Sequence, residues 1–126
     1  MDDDHPEAAP KVLVRTDQLM AEADDDAAGA IWKLQEPDRD LDSNVIALPP
    51  AGTIEPHTGP DLDVLIQVLS GAGTLHTANS DIDLVPGTLL WLPKRSRRGF
   101  TAGSTGLRYL TVHRKRPGLN LQPPPA

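Results

Sequence analysis

From Ala30 onward the chain consists of short apolar runs, none longer than six residues: Ala30 to Leu34, Val45 to Leu48, Val64 to Leu69, Gly73 to Thr77, Ile82 to Val85, Leu89 to Leu92 and Leu107 to Val112. Pro49, Pro50 and Gly52, Gly59 and Pro60, Ser70 to Gly73, Asn79 and Ser80, Pro86 and Gly87, and Gly103 to Gly106 punctuate them as turns. Runs of this length at this spacing are those of a β-sandwich or small barrel. Thirteen prolines, ten glycines and four large aromatics in 126 residues argue the same way, against a helical bundle. Closing the strands on one another also removes the exposed edges that so many short strands would otherwise present.

The chain has the length of one domain with one core. Residues 1–10, with Asp2, Asp3, Asp4, Pro6 and Pro10, are expected to form a disordered tail, and residues 118–126 a C-terminal tail that is disordered over 122–126 with Pro123, Pro124 and Pro125. Between the N-terminal tail and the barrel, residues 11–29 read as an extension. In it, Lys11 to Arg15 forms a short strand and Thr16 or Asp17 caps a short helix to about Ala23, with Leu19 and Met20 facing inward. The main body spans 30–117. No cysteine is present, which excludes disulfides and thiolate chemistry. With neither a signal-peptide core nor a membrane-length apolar run, the expectation is a cytoplasmic protein with no membrane partner.

The net charge of −6 conceals an asymmetry. Residues 1–63 carry sixteen acidic and four basic side chains, and 64–126 two acidic and eight basic, or −12 against +6. Such opposition predicts pairing within the fold or between the subunits of a homodimer. The basic runs Lys94, Arg95, Arg97, Arg98 and Arg114, Lys115, Arg116 read as solvated surface, and no aromatics are interleaved with them for stacking, so a nucleic-acid partner is not expected. The acidic runs 2–4 and 24–26 lack the alternating carboxylates and central glycine of a calcium loop. No nucleophile elbow, phosphate loop or dinucleotide fingerprint occurs.

One stretch carries more. Gly52-Thr-Ile-Glu-Pro-His57-Thr-Gly59, continued by Asp63-Val-Leu-Ile-Gln-Val-Leu-Ser-Gly71-Ala-Gly73, resembles the first motif of the cupin family. Gly87-Thr-Leu-Leu-Trp-Leu-Pro93-Lys-Arg-Ser-Arg-Arg98 resembles the second. The chain is also similar to small actinobacterial cupin-domain proteins, through Trp32-Lys-Leu-Gln-Glu-Pro and the ending Tyr109-Leu-Thr-Val-His-Arg-Lys-Arg-Pro. The resemblance implies an all-β fold, the cupin double-stranded β-helix, a jelly-roll-like barrel here preceded by a short N-terminal helix. It implies no activity.

At the family's four metal-ligand positions stand His57, Gly59, Val64 and Arg98. Arg95 replaces the glycine after Pro93 and Ala102 the asparagine. A divalent metal needs three or four donors, and one imidazole beside a fixed guanidinium does not supply them. No metal and no cofactor are therefore expected, unless Asp61, Asp63, His76 or His113 substitute as ligands. Side chains at these positions point into the barrel in the family. Arg98 then needs Asp61, Asp63 or an anionic ligand to answer its charge, unless a shifted register leaves it outside. His57 orients a ligand, accepts a proton or persists as a remnant. Trp32, Trp91, Phe100 and Tyr109 read as core or subunit-interface packing residues, with ligand stacking by Trp32 or Phe100 as the alternative.

Three functions follow. One is a non-catalytic module binding a small, possibly anionic molecule without metal, through His57, Arg98, Asp61 and Asp63 against a wall of Val64, Ile66 and Phe100. Another is a homodimeric structural or interaction protein with a filled barrel. The third is a cupin-type enzyme, isomerase- or epimerase-like with His57 as base, or metal-dependent through unorthodox ligands. The balance of residues points away from an enzyme.

Overall fold

The structure is a computed structural model and describes residues 8–116. One short helix, α1 (Thr16–Glu22), precedes seven strands: β1 (Gly29–Lys33), β2 (Leu41–Leu48), β3 (Thr53–Thr58), β4 (Val64–Thr77), β5 (Asp81–Leu84), β6 (Leu89–Leu92) and β7 (Arg97–Arg114). All pairings are antiparallel. The expected tails fall largely on 1–7 and 117–126, outside the described residues.

The architecture rests on β4 and β7, which are long enough to belong to both halves of a jelly roll. Residues 65–71 of β4 pair with 107–112 of β7, while 73–77 pair with 98–102. The first half-sheet runs β1, β2, the C-terminal part of β7, the N-terminal part of β4, then β6; the second runs β3, the N-terminal part of β7, the C-terminal part of β4, then β5. The sheet does not close, because β5 and β6 each pair with β4 alone. It is a jelly roll with an open seam rather than a closed barrel.

Two expected turns are bends inside continuous strands. At Ser70 to Gly73 and Gly103 to Gly106 the register shifts, and the chain carries on into the other half-sheet. Gly71 and Gly106 lie at φ +77° and +82°, and a Cβ on Gly71 would overlap the Gly106 carbonyl oxygen. Glycine is needed there for both conformation and close approach. β3 lies within a motif that the apolar runs do not mark as a strand, because most of its side chains are exposed. Residues 11–15, expected as a strand, are irregular, and α1 starts after Arg15 with no side-chain cap. Met20, partly buried, accepts a hydrogen bond from Ser70 Oγ at 3.1 Å, and Arg108 donates to the Asp24 carbonyl at 2.6 Å. The N-terminal segment thus lies along the outer side of the first half-sheet.

Alternation fills the space between the halves. Val64, Ile66 and Val68 face inward from β4, joined by Leu75, Leu84, Leu92 and Leu107. Phe100 and Tyr109, on opposite halves, stack with ring centroids 5.1 Å apart and planes 10° apart. Those two rings occupy the interior. Trp91, expected to pack in the core or at a subunit interface, is not in the core: it is 63% exposed, because the two-residue period of β6 turns Leu90 and Leu92 inward and Leu89 and Trp91 outward. Within the fold the opposed charges pair little. Among the described residues, Arg95 with Asp61 is the one ion pair between the acidic and basic halves, and Lys11–Glu36 and Arg39–Asp42 stay within the acidic half.

Gly71→Ala should lower stability by at least about 2 kcal/mol, from the left-handed conformation and the overlap together. Gly103→Ala, with its nearest new contact at 3.3 Å, should cost less. Urea denaturation of the two variants checks this, and equal midpoints would show that the bend does not need the close approach.

Burial pushes Tyr109 up to about 12 from the ordinary 10. The unfolded chain therefore releases this proton first, so the stabilisation is complete below pH 10 and is lost as pH rises from 10 toward 12. As the only tyrosine in the sequence, its tyrosinate absorbance titrates alone. An apparent value near 10 in the folded protein would contradict the buried stack.

Candidate functional site

The loop after β3 and the turn before β7 are joined by their backbones. Gly59 N–H donates to the Ser96 carbonyl at 2.9 Å, Arg95 N–H to the Pro60 carbonyl at 2.8 Å, and Lys94 N–H to Asp63 Oδ1 at 2.9 Å. Arg95 sits at φ +63°, the conformation a glycine would adopt freely, at a cost of about 1–2 kcal/mol for an ordinary residue. It also pairs with Asp61 across the junction.

Arg98 lies beneath this junction and is 5% exposed, so the inward orientation expected for it is what the fold produces. Its neighbour in the β3–β7 ladder is His57, which is exposed. The expected carboxylate partners do not reach the guanidinium. Asp61 is taken by Arg95 and Asp63 by the Lys94 backbone, and both aspartates are exposed. Three neutral oxygens serve instead: Nε donates to the Ser96 carbonyl at 3.2 Å, and Nη2 to the Pro93 carbonyl at 3.1 Å and Ser96 Oγ at 2.7 Å. No hydrogen bond runs from Nη1 to a described residue. Burial lowers the pKa of Arg98 from its ordinary value, although a guanidinium keeps its proton at neutral pH.

Gly59 explains how the side chain fits. A Cβ there would overlap Cζ of Arg98, so the missing side chain is the space that the guanidinium fills. The residues at positions 59 and 98 are physically coupled: the small one admits the large one. Val64 and Ile66 are buried core residues, as is Phe100, stacked on Tyr109, so the expected apolar wall is part of the packed interior.

A metal does not fit the four motif positions. His57 is the one donor; Gly59 and Val64 have no ligating atom, and Arg98 brings a positive charge. The substitute ligands considered from sequence are dispersed. Among the described residues no three His, Asp or Glu side chains converge. His76 points away from the interior, on the face opposite Leu75. His113 hydrogen-bonds the Arg114 carbonyl at 2.7 Å.

His76 belongs to a constellation that the sequence reading missed. Its Nε2 lies 2.8 Å from Thr101 Oγ1 and its Nδ1 2.9 Å from Asp81 Oδ1. The signal was local: two residues flanking a hairpin turn, plus a threonine placed by the ladder. None of the three lines the grooves described here.

Those grooves surround the junction. An open one of about 720 Å³ is lined by His57, Gly59, Asp61, Leu62, Arg114 and Arg116, among others. A smaller one of about 310 Å³ continues it past Leu62 and Arg114 to Asp63 and Lys94. A third, of about 300 Å³, lies at the seam between β5 and β6. His57 Nδ1 lies 3.0 Å from the Glu55 carbonyl, and no carboxylate among the described residues bonds it.

Solved structures share this architecture. A cupin superfamily protein from Desulfitobacterium hafniense superposes with a TM-score of 0.64 at 19% identity, covering 88% of this chain and 94% of that one. The chain has the cupin fold. The polyketide cyclase RemF from Streptomyces resistomycificus has a TM-score of 0.60 at 24% identity, over 72% of this chain and 71% of its own. The cupin domain of Cnp3 from Schizosaccharomyces pombe has a TM-score of 0.59 at 10% identity, covering 67% of this chain, which spans 62% of that domain's length. No family model matches the sequence, and no curated protein does. Among the described residues no helix is long and apolar enough to cross a membrane.

The coupling of Gly59 to Arg98 gives a direct test. Gly59→Ala should destabilise by about 1–3 kcal/mol, because the guanidinium must leave its oxygen partners. In an Arg98→Ala background the same change should cost little. A double-mutant cycle by chemical denaturation measures this, and additive effects would mean that the two residues are independent.

Proposed function

We propose that this chain is a non-catalytic cupin-fold binding module that takes a small anion without a metal, in the groove beside Gly59. The observation that carries the reading is Arg98. It is a buried cation where the family holds a metal ligand, answered by three neutral oxygens and by no carboxylate among the described residues. A desolvated charge of this kind favours an anion brought close to it. Arg98 lies directly under Gly59, which lines the groove, and Arg114 and Arg116 add two further cations to the wall. Asp61, the acidic residue in the same lining, is already paired with Arg95.

An enzymatic role has less support. Cupin-fold neighbours include a polyketide cyclase, but among the described residues no carboxylate bonds His57 to orient it as a base. The interaction-protein reading draws on the Phe100–Tyr109 stack inside the fold and on Leu65, Leu89 and Trp91 exposed on the outer face of β4 and β6. Native mass spectrometry separates the two readings by reporting subunit number and retained small molecules together.

Phosphate or citrate should raise the melting temperature of the wild-type protein, with stabilisation of about 2.7 kcal/mol at one hundred times the dissociation constant. The shift should shrink strongly in Arg114→Gln/Arg116→Gln and in Arg98→Met. Thermal melts across an anion series check this. Absence of any wild-type shift, or an equal shift in all variants, would refute the anion site.

A further inference from the structure

The seam left open between β5 and β6 has a chemistry unlike that of the cationic groove, and the two share no lining residue. Neither strand pairs on its seam side. Ile82, Leu90 and Leu92 make the walls above the fully buried Leu75, and Trp91 stands at the edge. Leu75 and Leu92 are core residues, so the seam opens on the apolar interior rather than on a polar surface. Its volume of about 300 Å³ is at the lower end of ligand pockets. An apolar cavity of about 150 Å³ already takes benzene. The seam therefore has room for one substituted aromatic ring or a short acyl chain.

One end of the seam is polar, formed by Asn79, Ser96 and Arg97. Ser96 Oγ accepts a hydrogen bond from Arg98 Nη2 at 2.7 Å, which leaves its own hydroxyl proton to donate elsewhere. The donor is polarised by the guanidinium behind it. Arg97 is exposed and makes no ion pair among the described residues. A hydroxyl donor and an unpaired guanidinium at the mouth of an apolar slot match a carboxylate attached to an apolar body.

We propose that the β5–β6 seam binds a small aromatic or short-chain carboxylic acid, its body among Leu75, Ile82, Leu90 and Leu92 and its carboxylate at Ser96 and Arg97. This site is separable from the anion groove through Arg114 and Arg116, which take no part in it, although Arg98 touches both, the seam by way of Ser96 and the groove beneath Gly59.

Isothermal titration calorimetry with benzoate, benzyl alcohol, acetate and inorganic phosphate tests it on the full chain. Benzoate should bind with one-to-one stoichiometry, benzyl alcohol and acetate at least about tenfold more weakly, and saturating phosphate should not displace benzoate. Arg97→Gln should reduce benzoate affinity toward that of benzyl alcohol, while Arg114→Gln/Arg116→Gln should leave it unchanged. Ile82→Phe should abolish binding by filling the slot; Leu90→Phe replaces it if the first variant does not fold by circular dichroism. No benzoate binding at millimolar concentration, equal affinity for benzyl alcohol, displacement by phosphate, or binding that survives both filled variants would each overturn the proposal. Loss of the phosphate response in the groove variants bears on the groove alone, so the two sites fail separately.

Discussion

The approach of two backbones where β4 and β7 bend is the constraint on which the rest depends. At that point the Gly71 backbone meets the Gly106 carbonyl with no room for a side chain, and both residues take a left-handed conformation. The bends let two strands serve two half-sheets, so the halves share hydrogen-bonded backbone instead of meeting only through side chains. Everything inward then follows from alternation. Val64, Ile66 and Val68 on one strand and Leu107 and Tyr109 on the other face the same interior because the strand period is two. The stack of Phe100 on Tyr109 spans the two halves of β7 and fixes their separation.

The same frame delivers Arg98 to its position. Once β7 begins at Arg97, the ladder sets Arg98 opposite His57 and Phe100 opposite Ile54. The residue at 98 is then committed to the interior whatever its chemistry. A guanidinium survives there because Gly59 vacates the volume and because the turn at 93–96 presents carbonyl and hydroxyl oxygens toward it. Neutral dipoles can hold a buried cation, but they leave its net charge uncompensated. That uncompensated charge is the basis of the anion site proposed above.

Much of the fold was legible because its signals are local. The apolar runs marked β1, β2, β5, β6 and parts of β4 and β7, and the helix near 17–23 was found within a residue of its ends. β3 escaped because its exposed side chains give no apolar alternation. The bends at Ser70–Gly73 and Gly103–Gly106 were read as turns because glycine marks a change of direction without saying whether pairing resumes beyond it. For the candidate site, motif spacing gave the inward direction of Arg98. It did not give its partners, since the competition of Arg95 and the Lys94 backbone for Asp61 and Asp63 arises only when two loops 30 residues apart are zipped together.

The sequence by itself determined the fold class, the single core, the absence of thiol chemistry and the lack of donors at three of four metal-ligand positions. Each follows from residue identity at fixed intervals, which no folding can alter. Only the tertiary structure decided that Arg98 is held by neutral oxygens under Gly59, that His76 meets Asp81 and Thr101, that Phe100 stacks on Tyr109 in the interior, and that β5 and β6 leave a seam. These are outcomes of packing between distant segments, where the free volume and the choice among competing hydrogen-bond partners exist only once all of those segments are in place.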